Sequence, residues 1–230
     1  MLDFDTAIFD LDGTLLDSLS VWDKIDSEFL FNKRGIPVPE DYVHKIAPMS
    51  FEETAVYTKK RFNLKETPEE LMREWTDMAI YEYSHNIFLK EGAREYLKRL
   101  KSEGKKTAVA TSSPEIFFKP ALVNNGIYNL FDAIANTCEA GVGKTKPDVY
   151  LLAAEKCGAL SHRCLVFEDV PDAALCAKEA GMMVCGVYDE RSAVHKKEMQ
   201  AICDVYINSF TELNLRLKKT AQTAIGMSDV

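Results

Sequence analysis

Apolar and β-branched residues cluster in short runs along the chain: Thr6 to Asp10, Thr107 to Thr111, Ala133 to Thr137, Cys164 to Glu168, Met183 to Tyr188 and Asp204 to Ile207. Each run is bounded by a turn or helix-start signal, and runs this short and continuous are expected for strands buried on both faces. Between most of them lie patterns of helical period that end in glycine. These are Ala93 to Glu103 before Gly104, Pro114 to Asn125 before Gly126, Pro147 to Cys157 before Gly158, and Pro171 to Ala180 before Gly181. A glycine just past the last periodic residue supplies the left-handed C-terminal cap of a helix. Strand and helix in alternation predict an α/β fold, with a parallel sheet covered by helices on both faces.

One stretch breaks the alternation. From about Asp17 to about Asn86 only helix signals occur. Ser50 with Glu53 and Thr67 with Glu70 have capping-box spacing, the second with Pro68 at the first helical position. Leu71, Trp75, Met78 and Tyr81 then recur at helical spacing and are expected on one apolar face. The predicted organisation is a core domain from residues 1–16 and 87–217, with an all-helical domain inserted at 17–86. From Lys218 onward the composition turns polar and small, and residues 218–230 are expected to form a disordered tail.

At 230 residues the chain is long enough for an α/β domain with a buried core plus a smaller insert. A formal charge of -8 argues against general binding of nucleic acid, which depends on clustered Lys and Arg. Any anionic substrate must then be held locally. The six cysteines are scattered without metal-ligand spacing and read as buried free thiols. No apolar run approaches membrane-spanning length, and Asp3 and Asp5 stand where a secretory leader would be basic and then apolar. A cytoplasmic protein that binds no membrane is the expectation.

In open parallel sheets ligands sit beyond the carboxyl ends of the strands, and here those ends are unusually polar. The first closes with Asp10-Leu11-Asp12-Gly13-Thr14-Leu15, two carboxylates two residues apart at a glycine turn. The second closes with Thr111-Ser112-Ser113 and the fourth with Glu168-Asp169, while Lys144 stands just ahead of Pro147. Carboxylates that converge on one point repel unless a cation neutralises them, and an all-oxygen set suits Mg²⁺ better than zinc. Asp10 and Asp169 are the first-choice ligands. A hydroxyl at Thr111 and an ammonium at Lys144 complete an arrangement suited to phosphoryl oxygens. Each feature alone has a plainer reading: Asp-x-Asp as a turn or cap, Glu168-Asp169 as an acidic helix start, Thr111 to Ser113 as a cap before Pro114, Lys144 as a solvated loop residue. Their joint occurrence at the ends of separate strands favours the functional reading.

Asp10 to Leu15 after the first strand, Thr111 after the second, Lys144 ahead of Pro147-Asp148-Val149-Tyr150, and Glu168-Asp169 followed by the alanine-rich Ala173 to Ala177 resemble the haloacid dehalogenase superfamily. The helical insert resembles that superfamily's subfamily I cap, and the chain is most similar to its β-phosphoglucomutase and phosphatase branch. The resemblance runs from about Asp5 to Phe210 and implies a Rossmann-like core. It also implies Asp10 as the nucleophile that takes the phosphoryl group and Asp12 as acid and base. Mg²⁺ would be held by Asp10, the Asp12 carbonyl and Asp169, with Glu168 close behind, and the phosphate by Gly13, Thr111, Ser112 and Lys144. The implied activity is hydrolysis of a small phosphomonoester, such as a sugar phosphate, and a monomer is the simplest expectation for a capped enzyme that must open and close.

The chain departs from the family pattern in places. Thr145 and Lys146 stand where proline and a small residue are usual, which makes Lys146 the competing candidate for the motif lysine; the spacing to Pro147 favours Lys144. Val170 and Ala173 replace a usual Ser and Gly. Sugar-phosphate mutases of this branch carry a cap histidine and arginine that clamp a second phosphate; at those positions stand Trp22 and Phe51. Neither can make the clamp's hydrogen bonds, which favours hydrolysis over phosphoryl shuttling. Trp22, Pro48, Met49 and Phe51 are candidates for facing the leaving group, with packing inside the cap as the equal alternative. A β-phosphoglucomutase-type phosphotransferase remains the rival enzyme, and a non-catalytic module that keeps the fold is the rival from another class.

Overall fold

The computed structural model describes residues 2–46, 49 and 51–214. Six strands form one sheet: β1 (Thr6–Phe9), β2 (Lys106–Thr111), β3 (Ala133–Asn136), β4 (Cys164–Glu168), β5 (Met183–Val187) and β6 (Val205–Ile207). Their order is β3-β2-β1-β4-β5-β6, and every pair is parallel. This is the parallel sheet that the alternation predicted and the Rossmann-like arrangement that the resemblance implied. β1 stops one residue short of its expected end, yet the Asp10 amide still donates to the Phe167 carbonyl at 3.0 Å, so the ladder holds Asp10 in line with the strand.

Ten α-helices are described, α1 (Val21–Asp26), α2 (Glu40–Ile46), α3 (Phe51–Phe62), α4 (Pro68–His85), α5 (Ala93–Ser102), α6 (Glu115–Asn124), α7 (Thr137–Ala140), α8 (Asp148–Lys156), α9 (Pro171–Glu179) and α10 (Lys196–Ile202). Short α7 and α10 have no counterpart in the sequence reading, because one or two turns leave too little period to see. The chain divides into two compact units, residues 19–87 and the residues flanking that stretch on either side.

In the sheet unit, alternation along β1 sends neighbouring side chains to opposite faces. Ile8 joins Ala108, Val166, Val149, Tyr150, Ala153, Ala174 and Ala177, the small residues letting α8 and α9 lie close to the sheet. Phe9 points the other way, stacks on Phe167 with centroids 4.5 Å apart, and meets Tyr96 of α5 and Phe210. Gly92 starts α5 at φ 76°. A Cβ there would lie 2.6 Å from the Thr211 amide nitrogen, so only glycine lets the segment at Thr211 close over it. All six cysteines are unpaired, but Cys138 is exposed and Cys203 half-buried, so these two depart from the expected burial.

The helical unit contains no strand among its described residues. The Thr67 capping box at the start of α4 is present in full, with Pro68 at the first turn. Residues Leu71, Trp75, Ala79 and Tyr83 form the buried face of α4. Tyr81 is 58% exposed and stacks on His85 instead, which corrects its expected place on that face: the buried stripe repeats every four residues and passes Tyr81 by. The chain continues from α1 into a π-helical segment, Ser27–Asn32. The capping role expected for Ser50, the site role for Pro48 and the tail from Lys218 lie outside the described residues.

Candidate active site

The site grows from the turn after β1. Leu11 O accepts from the amides of Leu15 at 2.9 Å and Leu16 at 2.7 Å, while the Gly13 amide donates to Leu16 O at 3.0 Å. That fold-back needs a residue at φ 83°, which Gly13 supplies without strain. Lys90 N donates to Leu15 O, and Asp17 N to Phe88 O, both at 2.9 Å, so the turn is fastened to the returning chain.

Asp10, Glu168 and Asp169 are all buried and offer carboxylate oxygens within 4.8 Å of one another. Lys144 reaches into this group, pairing with Asp10 and donating to Glu168 Oε1 at 2.6 Å. Lys146 is exposed, so the structure places Lys144, and not its competitor, beside the carboxylates. Glu168 Oε1 also accepts from the Tyr150 hydroxyl at 2.6 Å, and Oε2 from the Asp169 amide at 3.3 Å. Thr14 donates to Asp169 Oδ1 at 3.1 Å. Asp169 Oδ2 is buried with no hydrogen-bond partner. The Asp12 carboxylate accepts from Ser18 at 2.6 Å. Thr111 is fully buried, its hydroxyl oxygen accepting from the Ser113 amide at 2.9 Å, while Ser112 is exposed.

Charge does not balance here, with three carboxylates against one ammonium. Burial, then the Glu168 charge, pushes Asp10 well above the usual carboxylate range despite Lys144. Burial and Glu168 likewise raise Asp169 to about 7. Burial opposes the Lys144 ammonium, but Asp10 and Glu168 outweigh it and hold the proton more firmly than in water. An excess of buried carboxyl groups over ammonium, an all-oxygen donor set and the orphaned Asp169 Oδ2 together fit a hard divalent cation such as Mg²⁺.

Trp22, Met49 and Phe51 belong to the helical unit. Trp22 and Phe51 meet edge to face at 6.0 Å, and Phe51 approaches Trp75 at 5.7 Å, yet they remain 40% and 41% exposed. Met49 is half-buried. Among the hydrogen bonds that shape the carboxylates, those from Thr14, Ser18 and Tyr150 have no place in the sequence reading. Thr14 and Tyr150 stand inside the quoted motifs; Ser18 has no signal beyond its nearness to Asp12.

The family model of haloacid dehalogenase-like hydrolases matches residues 4–181. The validoxylamine A 7'-phosphate phosphatase of Streptomyces hygroscopicus subsp. limoneus is 27% identical over 214 residues, covering 91% of this chain and 96% of that protein. A phosphorylated carbohydrates phosphatase of Thermotoga maritima is 27% identical over 183 residues, 77% of this chain and 82% of that one. A solved Thermotoga maritima structure assigned as a β-phosphoglucomutase superposes with a TM-score of 0.79 at 24% identity, covering 94% and 99% of the two chains. At that identity the likeness concerns the fold.

Proposed function

The chain belongs to the haloacid dehalogenase-like hydrolase family, and from that premise we propose that it is a Mg²⁺-dependent phosphatase of a small phosphomonoester, a sugar phosphate or similar, working through a phosphoaspartate on Asp10. The observation that carries the reading is the buried set Asp10, Glu168 and Asp169, with the Lys144 ammonium paired to the first two. The relatives named as a validoxylamine A 7'-phosphate phosphatase and a phosphorylated carbohydrates phosphatase support the substrate class.

In the first half-reaction an Asp10 oxygen attacks phosphorus and the bond from phosphorus to the ester oxygen breaks. Asp12 gives its proton to the departing alkoxide, so the product leaves as an alcohol. In the second, water attacks the same phosphorus, Asp12 takes back a proton, and the Asp10 carboxylate is released with inorganic phosphate. Lys144 holds Asp10 between turnovers and offers its charge to the transferring oxygens, to which the Thr111 hydroxyl and the amides near Gly13 and Ser112 would donate hydrogen bonds. A cation held by Asp10, Asp169 and the Asp12 carbonyl would shield the nucleophile from the charge of the phosphate. Trp22 and Phe51, in place of a phosphate clamp, favour water over a second sugar hydroxyl as the final acceptor.

The test is phosphate release from a panel of sugar phosphates, nucleotides and glycolytic phosphates, with and without Mg²⁺, beside an Asp10→Asn control. Release that needs both the metal and Asp10 is expected. Silence on the whole panel, followed by turnover once a bisphosphate primer is added, would overturn hydrolysis in favour of phosphoryl shuttling.

A further inference from the structure

The Tyr150 hydroxyl neither binds phosphate nor moves a proton in that scheme, yet it is buried at the centre of the site. Tyr150 lies on α8, fully enclosed against the sheet, and its hydroxyl donates to Glu168 Oε1 at 2.6 Å. The same oxygen takes the Lys144 ammonium at 2.6 Å. The Lys144 nitrogen also stands 5.4 Å from the centre of the Tyr150 ring. Glu168 therefore has two donors on one oxygen and the Asp169 amide on the other.

We propose that Tyr150 is a positioning residue for phosphoryl transfer: its hydroxyl holds Glu168 on Lys144, which keeps the ammonium aimed at Asp10 and keeps Glu168 out of the cation's own oxygen set. Glu168 has two possible employments, because its oxygens lie within 4.8 Å of those of Asp10 and Asp169 as well as beside Lys144. A lone ammonium would compete for it against a divalent cation with two other carboxylates in place. A second, neutral donor on the same oxygen tips the choice, since hydrogen bonds to a charged acceptor are the strong ones. A phenylalanine would fill the same space against α8 and the sheet, keep the ring face beside Lys144, and remove only the donor. The inference rests on the phosphatase reading of this same site.

The experiment compares the parent, Tyr150→Phe, Glu168→Gln and the double variant. Steady-state phosphate release is one readout and calorimetric Mg²⁺ titration of the substrate-free protein is the other, with urea unfolding to confirm that all four fold. Tyr150→Phe is expected to lower kcat about tenfold with KM within about twofold. Its Mg²⁺ dissociation constant should tighten about threefold, because Glu168 is freed toward the cation. Neither change should recur when Tyr150→Phe is made in the Glu168→Gln background, where there is no longer a carboxylate to hold. A kcat or a Mg²⁺ affinity that stays at the parent's value overturns the proposal, as do equal effects in both backgrounds, which would mean that Tyr150 acts by packing alone. Absence of phosphate release by the parent would end the phosphatase reading, while the Mg²⁺ titrations would still decide the role of Tyr150.

Discussion

Ser18 donates its hydroxyl hydrogen to Asp12 Oδ1 at 2.6 Å, from a side chain that is only 1% exposed. A carboxylate that must first give and then take a proton has to be held at one angle, and a buried hydroxyl does this at little entropic cost. Ser18→Ala is expected to lower kcat by about tenfold while changing KM little. Steady-state kinetics check this. An equal fall in kcat/KM caused wholly by KM would show that Ser18 serves substrate binding instead.

Cation binding should be tied to protons. In the metal-free protein, burial and Glu168 hold Asp169 near 7, and burial with the Glu168 charge pushes Asp10 well above the usual carboxylate range. Mg²⁺ must displace those protons, so its affinity rises with pH through 7 and falls below it, by roughly tenfold per unit for each proton displaced. Calorimetry in two buffers of different ionisation enthalpy would count the protons released. Binding that is indifferent to pH between 6 and 8 would show that the carboxylates are already ionised without metal.

Asp26 gives a pH dependence that owes nothing to the site. It is buried in the helical unit, and burial, with Asp23 nearby, raises it from 3.8 to about 7. The folded state therefore keeps a proton that the unfolded state releases near pH 4, and stability falls as pH rises between the two values, by a few kcal/mol in all. Asp26→Asn mimics the protonated form. Its urea midpoint should exceed the parent's at pH 8 and match it at pH 4, and parallel pH profiles for the two proteins would sink the assignment.

Gly92→Ala should be among the most damaging single-methyl additions outside the site. The added carbon would meet the Thr211 amide nitrogen at 2.6 Å in a backbone already at φ 76°, so the Thr211 segment or the start of α5 must move. A loss of about 2 to 4 kcal/mol is expected from overpacking and strain together, measured by urea unfolding. A loss below 0.5 kcal/mol would mean that the segment yields freely.

The sheet was legible because strands of a parallel sheet are buried on both faces and leave runs such as Cys164 to Glu168, whose observed bounds equal the expected ones. Helix ends were legible where chemistry marks them, as at Thr67, Glu70 and Pro68. The π-helical turn at Ser27–Asn32 was not, since its sequence has the same apolar spacing as a helix of ordinary pitch. In the candidate site, strand ends pointed to Asp10, Glu168 and Asp169, the buried carboxylates that the structure brings together. What they could not disclose are the donors that aim the carboxylates, Ser18, Tyr150 and Thr14, because hydrogen bonds between residues 6, 18 and 155 positions apart have no periodic trace.

The sheet order has a consequence in time. β1 is made before the other five described strands, yet it lies in the middle, with Thr6 paired to Lys106 on one side and Cys164 on the other. Its four residues, all destined to be buried, have no partner until the whole helical unit has been made, and no second partner until most of the chain exists. Synthesis of the helical unit thus goes on while an apolar strand stays unpaired, and a nascent chain stalled before Cys164 would be the aggregation-prone species.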